Sequence, residues 1–212
     1  MRRTPIIHVV DDDQSFQTAI SRLLRAVGYT VRGYSNAGDF LLAEIDDAPG
    51  CILLDVRLPG PSGLDLQRAL GCRPNPLPII FLSGYGDIPS SVQAIKAGAM
   101  DFLTKPVQRE TLLKAIQNAL ARGIESRVLH DQMRNWRACY NSLTKREAEV
   151  FSRVVVGKMN KEIASELGAA ERTIKAHRAQ VMEKMQAGSI AELVHIADQL
   201  QRSEVGKSTP HP

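Results

Sequence analysis

Over the first 120 residues, short apolar runs rich in branched side chains alternate with stretches whose apolar positions recur at helical spacing. The runs at Ile6–Val10, Thr30–Tyr34, 51–55, Ile79–Ser83 and Asp101–Thr104 predict five strands. The stretches at 14–27, 36–45, 63–70, 89–97 and 109–120 predict a helix after each strand. Regular βα alternation joins parallel strands through crossover helices, so a doubly wound α/β domain is predicted, with helices on both faces of a parallel sheet. Breaking residues mark several borders: Gly28 and Gly98 follow the first and fourth helices, and Ser35 is placed to cap the second.

Beyond residue 120 the strand pattern stops. Ile124, Val128, Met133, Trp136, Tyr140 and Leu143 follow one another at steps of three to five, so residues 121–141 form either a helical linker continuing the fifth helix or a flexible one. From Leu143 the periodicity is helical throughout, which predicts an all-α domain over 142–203. Thr144 and Glu147, three positions apart, make a capping box at its start. A helix over 161–167 is stopped by Gly168, a second spans 171–185 after a short turn, and a last one covers 190–200. In the second of these, Ile174, Val181 and Met185, with Ala170 before them, are expected to face the core. Arg172, Lys175, His177, Arg178 and Gln180 lie on the opposite face. Leu193, Ile196 and Leu200 share a stripe expected to serve both core and dimer contact. Residues 204–212 have the composition of a disordered tail.

The composition suits this two-domain reading: 212 residues with 43% hydrophobic content suffice for two modest cores. No apolar run approaches the roughly 20 residues needed to span a bilayer. The start leads directly into a strand without a cleavage signal, so a cytoplasmic protein with no membrane partner is expected. Cys51, Cys72 and Cys139 are odd in number and lack metal-type spacing, which argues against a disulfide framework and a zinc site. The charge of +4 lies entirely beyond residue 120, since residues 1–120 carry 12 charges of each sign. So small an excess says little alone about nucleic acid.

The predicted strands carry chemistry at their ends. Asp11, Asp12 and Asp13 follow the first, Asp55 ends the third, Ser83 the fourth, and Lys105 follows the fifth. Parallel sheets gather their carboxyl ends at one crevice. Crowded carboxylates there suit a hard cation such as Mg2+, which takes oxygens from one or two carboxylates together with those of a phosphate. The set points to phosphoryl transfer. His8, inside an apolar strand, is expected to be a core histidine rather than a ligand.

These residues, in Ile6-Ile7-His8-Val9-Val10-Asp11-Asp12-Asp13, Leu53-Leu54-Asp55-Val56-Arg57-Leu58-Pro59-Gly60, Ser83-Gly84-Tyr85-Gly86-Asp87 and Leu103-Thr104-Lys105-Pro106, closely resemble the receiver domain of two-component response regulators over residues 5–120. The resemblance implies a sheet of order 2-1-3-4-5 and Asp55 as phosphoacceptor. It implies Mg2+ held by Asp11, Asp12, Asp55 and the backbone carbonyl of Arg57, with Asp13 as a supporting neighbour. Lys105 and Ser83 would contact the phosphoryl oxygens, and Phe102 would act with Ser83 as a switch. Haloacid-dehalogenase phosphatases also use a strand-end aspartate but place a second Asp two residues on, where this chain has Arg57. No Gly-rich nucleotide loop is present. A regulatory site that promotes only its own phosphorylation and dephosphorylation is expected, not an enzyme.

The second half, through Leu143-Thr144-Lys145-Arg146-Glu147, Gly157-Lys158-Met159-Asn160-Lys161-Glu162-Ile163-Ala164 and Arg172-Thr173-Ile174-Lys175-Ala176-His177-Arg178, resembles the four-helix LuxR-type helix-turn-helix domain. Together the halves resemble NarL/FixJ response regulators, nearest the FixJ side on Ser83 to Pro89. The resemblance implies a sensor histidine kinase, double-stranded DNA and RNA polymerase as partners, and a homodimer on phosphorylation. Arg172, Thr173, Lys175, Ala176, His177, Arg178 and Lys184 are the expected DNA contacts. Some NarL-like members read bases with Lys, Val and Lys where this chain has Lys175, Ala176 and Ala179, so no operator can be transferred. A helical domain that binds a protein instead of DNA is the competing reading.

Overall fold

The computed structural model describes residues 4–44, 48–71, 76–84 and 88–205. Five strands, β1 (Ile6–Val10), β2 (Thr30–Tyr34), β3 (Gly50–Asp55), β4 (Ile79–Ser83) and β5 (Asp101–Thr104), form one parallel sheet in the order β2-β1-β3-β4-β5. Helices α1 (Gln14–Ala26), α2 (Ala37–Leu42), α3 (Gly63–Gly71) and α4 (Ile88–Lys96) connect the strands, and α5 (Arg109–Asn141) follows the last. This is the receiver-type fold and sheet order implied by the sequence.

Side chains alternate across the central strands, so the sheet builds two cores. Ile7, Val9, Cys51, Leu53, Ile80 and Leu82 face Ile20 and Leu24 of α1 and Leu112, Ala115, Ile116 and Ala119 of α5. On the other face Val10, Ile52, Leu54, Ile79 and Phe81 meet Phe40 of α2, Leu66 and Leu70 of α3 and Ala94 of α4. His8, 2% exposed, belongs with this second face: its Nδ1 lies 3.2 Å from the Tyr34 hydroxyl, and its ring meets Phe40 edge-on.

The second helix differs from the sequence reading. It is capped by Asn36, not Ser35: Asn36 has extended backbone and its Oδ1 accepts the Asp39 N–H at 2.8 Å. Ser35 instead accepts a hydrogen bond from Gln14 Nε2. The 36–45 expectation reaches Ile45, outside the described residues, as are Cys72, Tyr85, Gly86 and Asp87 and the end of the expected tail.

The chain divides into two compact units between Val128 and Leu129. The second contains α6 (Lys145–Val154), α7 (Asn160–Leu167), α8 (Glu171–Lys184) and α9 (Ile190–Val205), around Val150, Phe151, Ile163, Ile174, Val181, Leu193 and Ile196. Met133, Trp136 and Cys139 of α5 and Leu143 pack against that core. Leu193, Ile196 and Leu200 of α9 are all buried in it. Thr144 and Glu147 form the full capping box of α6. Gly168 ends α7 with φ +60°, a left-handed conformation that costs little only without a Cβ, so the chain turns at once into α8. Ala170 is exposed at the N-cap of α8 rather than turned to the core, because it precedes the helical geometry that sets the stripe. Among the described residues no helix is long and apolar enough to cross a membrane.

Candidate functional site

Because the strands are parallel, the residues after Val10, at the end of β3 and after Thr104 meet at one edge. The Asp11 N–H continues the pairing of β1 by donating to the Tyr34 carbonyl at 3.0 Å, and the Lys105 N–H donates to the Ser83 carbonyl at 2.7 Å. These backbone bonds aim two distant side chains at Asp55. Lys105 Nζ lies 2.6 Å from Asp11 Oδ2 and 2.5 Å from Asp55 Oδ2.

The group is well enclosed, with side-chain exposures of 16% for Lys105, 1% for Asp11 and 11% for Asp55, so its charges interact more strongly than in water. Burial pushes the Asp11 carboxyl above its ordinary range despite hydrogen bonds from Lys105 and from the Asp13 N–H. Burial also opposes the Lys105 ammonium, but the two carboxylates outweigh it and hold its pKa above the ordinary value. Exposed Asp12 completes the group: carboxylate oxygens of Asp11, Asp12 and Asp55 lie within 4.8 Å of one another. Three carboxylates against one ammonium leave a negative, all-oxygen donor set, the chemistry a hard divalent cation takes.

Neighbouring residues orient this group. Asp13 is the N-cap of α1: its Oδ1 accepts the N–H groups of Ser15 and Phe16, while its own N–H donates to Asp11 Oδ1 at 3.0 Å. The Arg57 N–H donates to Asp55 Oδ1 at 2.9 Å, and the Arg57 side chain is exposed. A Cβ at Gly63 would stand 2.1 Å from the Asp55 carbonyl oxygen, so only glycine lets α3 start this close to the end of β3. Ser83 is 3% exposed at the end of β4. Phe102 is half-buried and stacks on Phe81, with ring centroids 6.1 Å apart.

Two residues of α1 escaped the sequence reading. Gln17, 8% exposed, donates from Nε2 to the carbonyls of Asp11 and Tyr34 at 2.5 and 2.9 Å, tying together the ends of β1 and β2. A signal existed, because Gln17 precedes Ile20 and Leu24 by three and seven positions on the buried stripe of α1. Phe16 places its ring centroid 4.2 Å from Lys105 Nζ, and no sequence spacing announces that contact.

In the second unit, α7 and α8 are joined by the Gly168 turn. Arg172, Thr173, Lys175 and Ala176 are exposed on α8, and His177 and Arg178 are half-buried. Arg178 Nη1 donates to Asn160 Oδ1 at 2.9 Å, linking the two helices. Lys184, another of the expected DNA contacts, is half-buried at the end of α8. Its Nζ lies 2.6 Å from Oε2 of Glu147, itself 6% exposed, and this pair links the end of α8 to the start of α6.

The Lys184 ammonium, together with the Thr144 backbone N–H, holds the Glu147 carboxyl down to about 2 from an ordinary 4.5. A lowered carboxylate pKa contributes stability that is complete above the unfolded value and is lost as pH falls from about 4.5 towards 2. The Glu147→Gln variant is therefore expected to be less stable at neutral pH and to lose less stability than the parent across that acid range. Trp136, the only tryptophan, packs on this core and reports the unfolding by fluorescence. Equal acid sensitivity in both proteins would remove Glu147 from this role.

Similarity to known proteins covers both units. Residues 7–117 match the response regulator receiver domain family, and residues 141–197 match the luxR family of bacterial regulatory proteins. The response regulator protein TmoT of Ectopseudomonas mendocina is 44% identical over 198 residues, 93% of this chain and 90% of that protein. The transcriptional regulatory protein FixJ of Azorhizobium caulinodans is 38% identical over 191 residues, 90% of each. The solved structure of the response regulator StyR, 40% identical, covers 93% of this chain and all of that one with a TM-score of 0.82. A receiver domain implies a histidine kinase as partner, and a LuxR-type domain implies DNA. Fold, paired domains and near-full-length relatives agree: the chain belongs to the NarL/FixJ family of two-component response regulators, transcription regulators with a receiver domain and a LuxR-type helix-turn-helix domain.

Proposed function

We propose that a sensor histidine kinase phosphorylates Asp55 and that the phosphorylated receiver, as a homodimer, controls sequence-specific DNA binding and transcription. The observation that supports this most is the meeting of Asp11, Asp12 and Asp55 around Lys105 in a chain that also carries a helix-turn-helix unit. In this reading the receiver comprises 5–120, a linker 121–141, the DNA-binding domain 142–203 and a tail 204–212.

An Asp55 oxygen attacks phosphorus as the bond from phosphorus to the donor nitrogen breaks, giving an acyl phosphate. Asp11, Asp12, Asp55 and the Arg57 carbonyl would hold Mg2+, which neutralises charge on the phosphoryl oxygens of a loose transition state. Lys105 and the Ser83 hydroxyl bind those oxygens and orient them. Leaving its place between the carboxylates, Lys105 reports the new group to β5, where Phe102 changes position. The receiver promotes only its own phosphorylation and dephosphorylation and acts in the cytoplasm, with RNA polymerase as the final partner.

On α8, Lys175 lies one turn in, where side chains reach base edges; Thr173, Ala176, His177, Arg178 and Lys184 are the further proposed contacts, with Arg172 towards a phosphate. Lys175→Ala is expected to relax sequence preference by about 1–3 kcal/mol, whereas Arg172→Ala weakens all sequences alike and lowers the salt slope by about one. Competition gel shifts with specific and random duplexes across salt concentrations decide this. Equal losses on both duplexes for Lys175→Ala would take that residue off the bases, and no salt-dependent binding at all would favour a protein partner.

A further inference from the structure

We propose that Phe16 is a positioning residue for Lys105, holding the ammonium over Asp55 through a cation–π contact; this rests on the phosphoacceptor reading of Asp55. The ring centroid is 4.2 Å from Lys105 Nζ, inside the roughly 6 Å over which a cation is drawn to an aromatic face. The ring is itself fixed. The Phe16 N–H donates to the Asp13 carboxylate that caps α1, and the side chain is half-buried against the core between the sheet, α1 and α5.

The chemistry favours a ring here over a third acid. Lysine carries its charge on a flexible four-carbon stem, so its position must be imposed by neighbours. Asp11 and Asp55 impose it at rest, at 2.6 and 2.5 Å. During transfer both are otherwise engaged: Asp55 bonds to phosphorus, and Asp11 is claimed by the cation. Phe16 takes no part in either event. An aromatic face also attracts the ammonium without cancelling its charge, which remains available to a phosphoryl oxygen.

Phe16→Leu keeps an apolar side chain of similar reach and removes the π face. In the full-length protein with acetyl phosphate and Mg2+, it is expected to slow Asp55 labelling, followed by intact mass, about fivefold, while Phe16→Tyr stays within about twofold of the parent. In a Lys105→Met background, Phe16→Leu should add no further slowing, because the cation it positions is gone; a purely structural role would slow both backgrounds equally. Phe16→Met, a flexible apolar side chain that fills more irregular space and also lacks a π face, serves if the leucine variant melts early. Independently of phosphorylation, the Lys105 ε-methylene protons should show an upfield ring-current shift by NMR in the parent and Phe16→Tyr proteins that disappears in Phe16→Leu. Normal parent labelling with an equally fast Phe16→Leu, or no ring-current shift in the parent, overturns the inference alone. Absence of Asp55 labelling in the parent overturns the phosphoacceptor reading and this inference with it.

Discussion

Asp55→Asn is expected to abolish phosphorylation altogether. With Mg2+ and acetyl phosphate or a cognate phosphohistidine donor, the parent should gain one acid-stable, base-labile phosphoryl group, and the variant none. An amide is close in shape to a carboxylate, so the fold survives, but it offers no anionic oxygen to attack phosphorus. The variant also keeps the Gly63 approach and the Arg57 N–H contact at this position. Asp11 and Asp12 remain in place in the variant, and intact mass asks whether either can substitute. Asp11 is not expected to: its side chain is 1% exposed against 11% for Asp55, so a phosphoryl donor has far poorer access to it. Equal labelling of the Asp55→Asn protein would end the assignment.

Lys105→Ala is expected to separate phosphorylation from its consequence. In the resting protein the ammonium is the compensating charge for two enclosed carboxylates, so its removal leaves like charges facing each other. The variant should be less stable at neutral pH and should recover stability as the pH is lowered and one carboxyl takes up a proton. It should still accept phosphate slowly, since the nucleophile and the acidic group remain. Dimerisation on phosphorylation should fail. Moving a two-state element from 1:99 to 99:1 takes about 5.5 kcal/mol of differential interaction, and the variant loses the ion pair between Lys105 and the phosphoryl group that is expected to contribute to it. Light scattering on the stoichiometrically phosphorylated variant checks this, and a normal dimer would take Lys105 out of the signalling route.

The sheet and its edge were legible because strand ends in a parallel sheet must gather: Asp11, Asp55, Ser83 and Lys105 each follow or end an apolar run, and that alone placed them together. Where the reading went astray, the deciding fact was not local. Ser35 and Asn36 are both good caps, and only the backbone angle at Asn36 selects it. Ala170 continues the apolar sequence of α8 but stands one step before its helical geometry. The pairing of Lys184 with the capping glutamate 37 positions earlier is likewise absent from any local pattern in α8. The Phe16 contact is of the same kind, since an aromatic residue in an amphipathic helix is expected in the core, and nothing in its spacing points to a lysine just after β5, 89 positions later.

The two polar ties on α8, Arg178 to Asn160 and Lys184 to Glu147, have a thermodynamic consequence. If α8 is the helix that enters a DNA groove, as proposed, a helix already fastened in this way has little left to order on binding, and rigid docking rather than coupled folding is expected. The heat-capacity change measured calorimetrically for the isolated binding step should then match the surface buried at the interface, without the larger negative term that accompanies folding on contact.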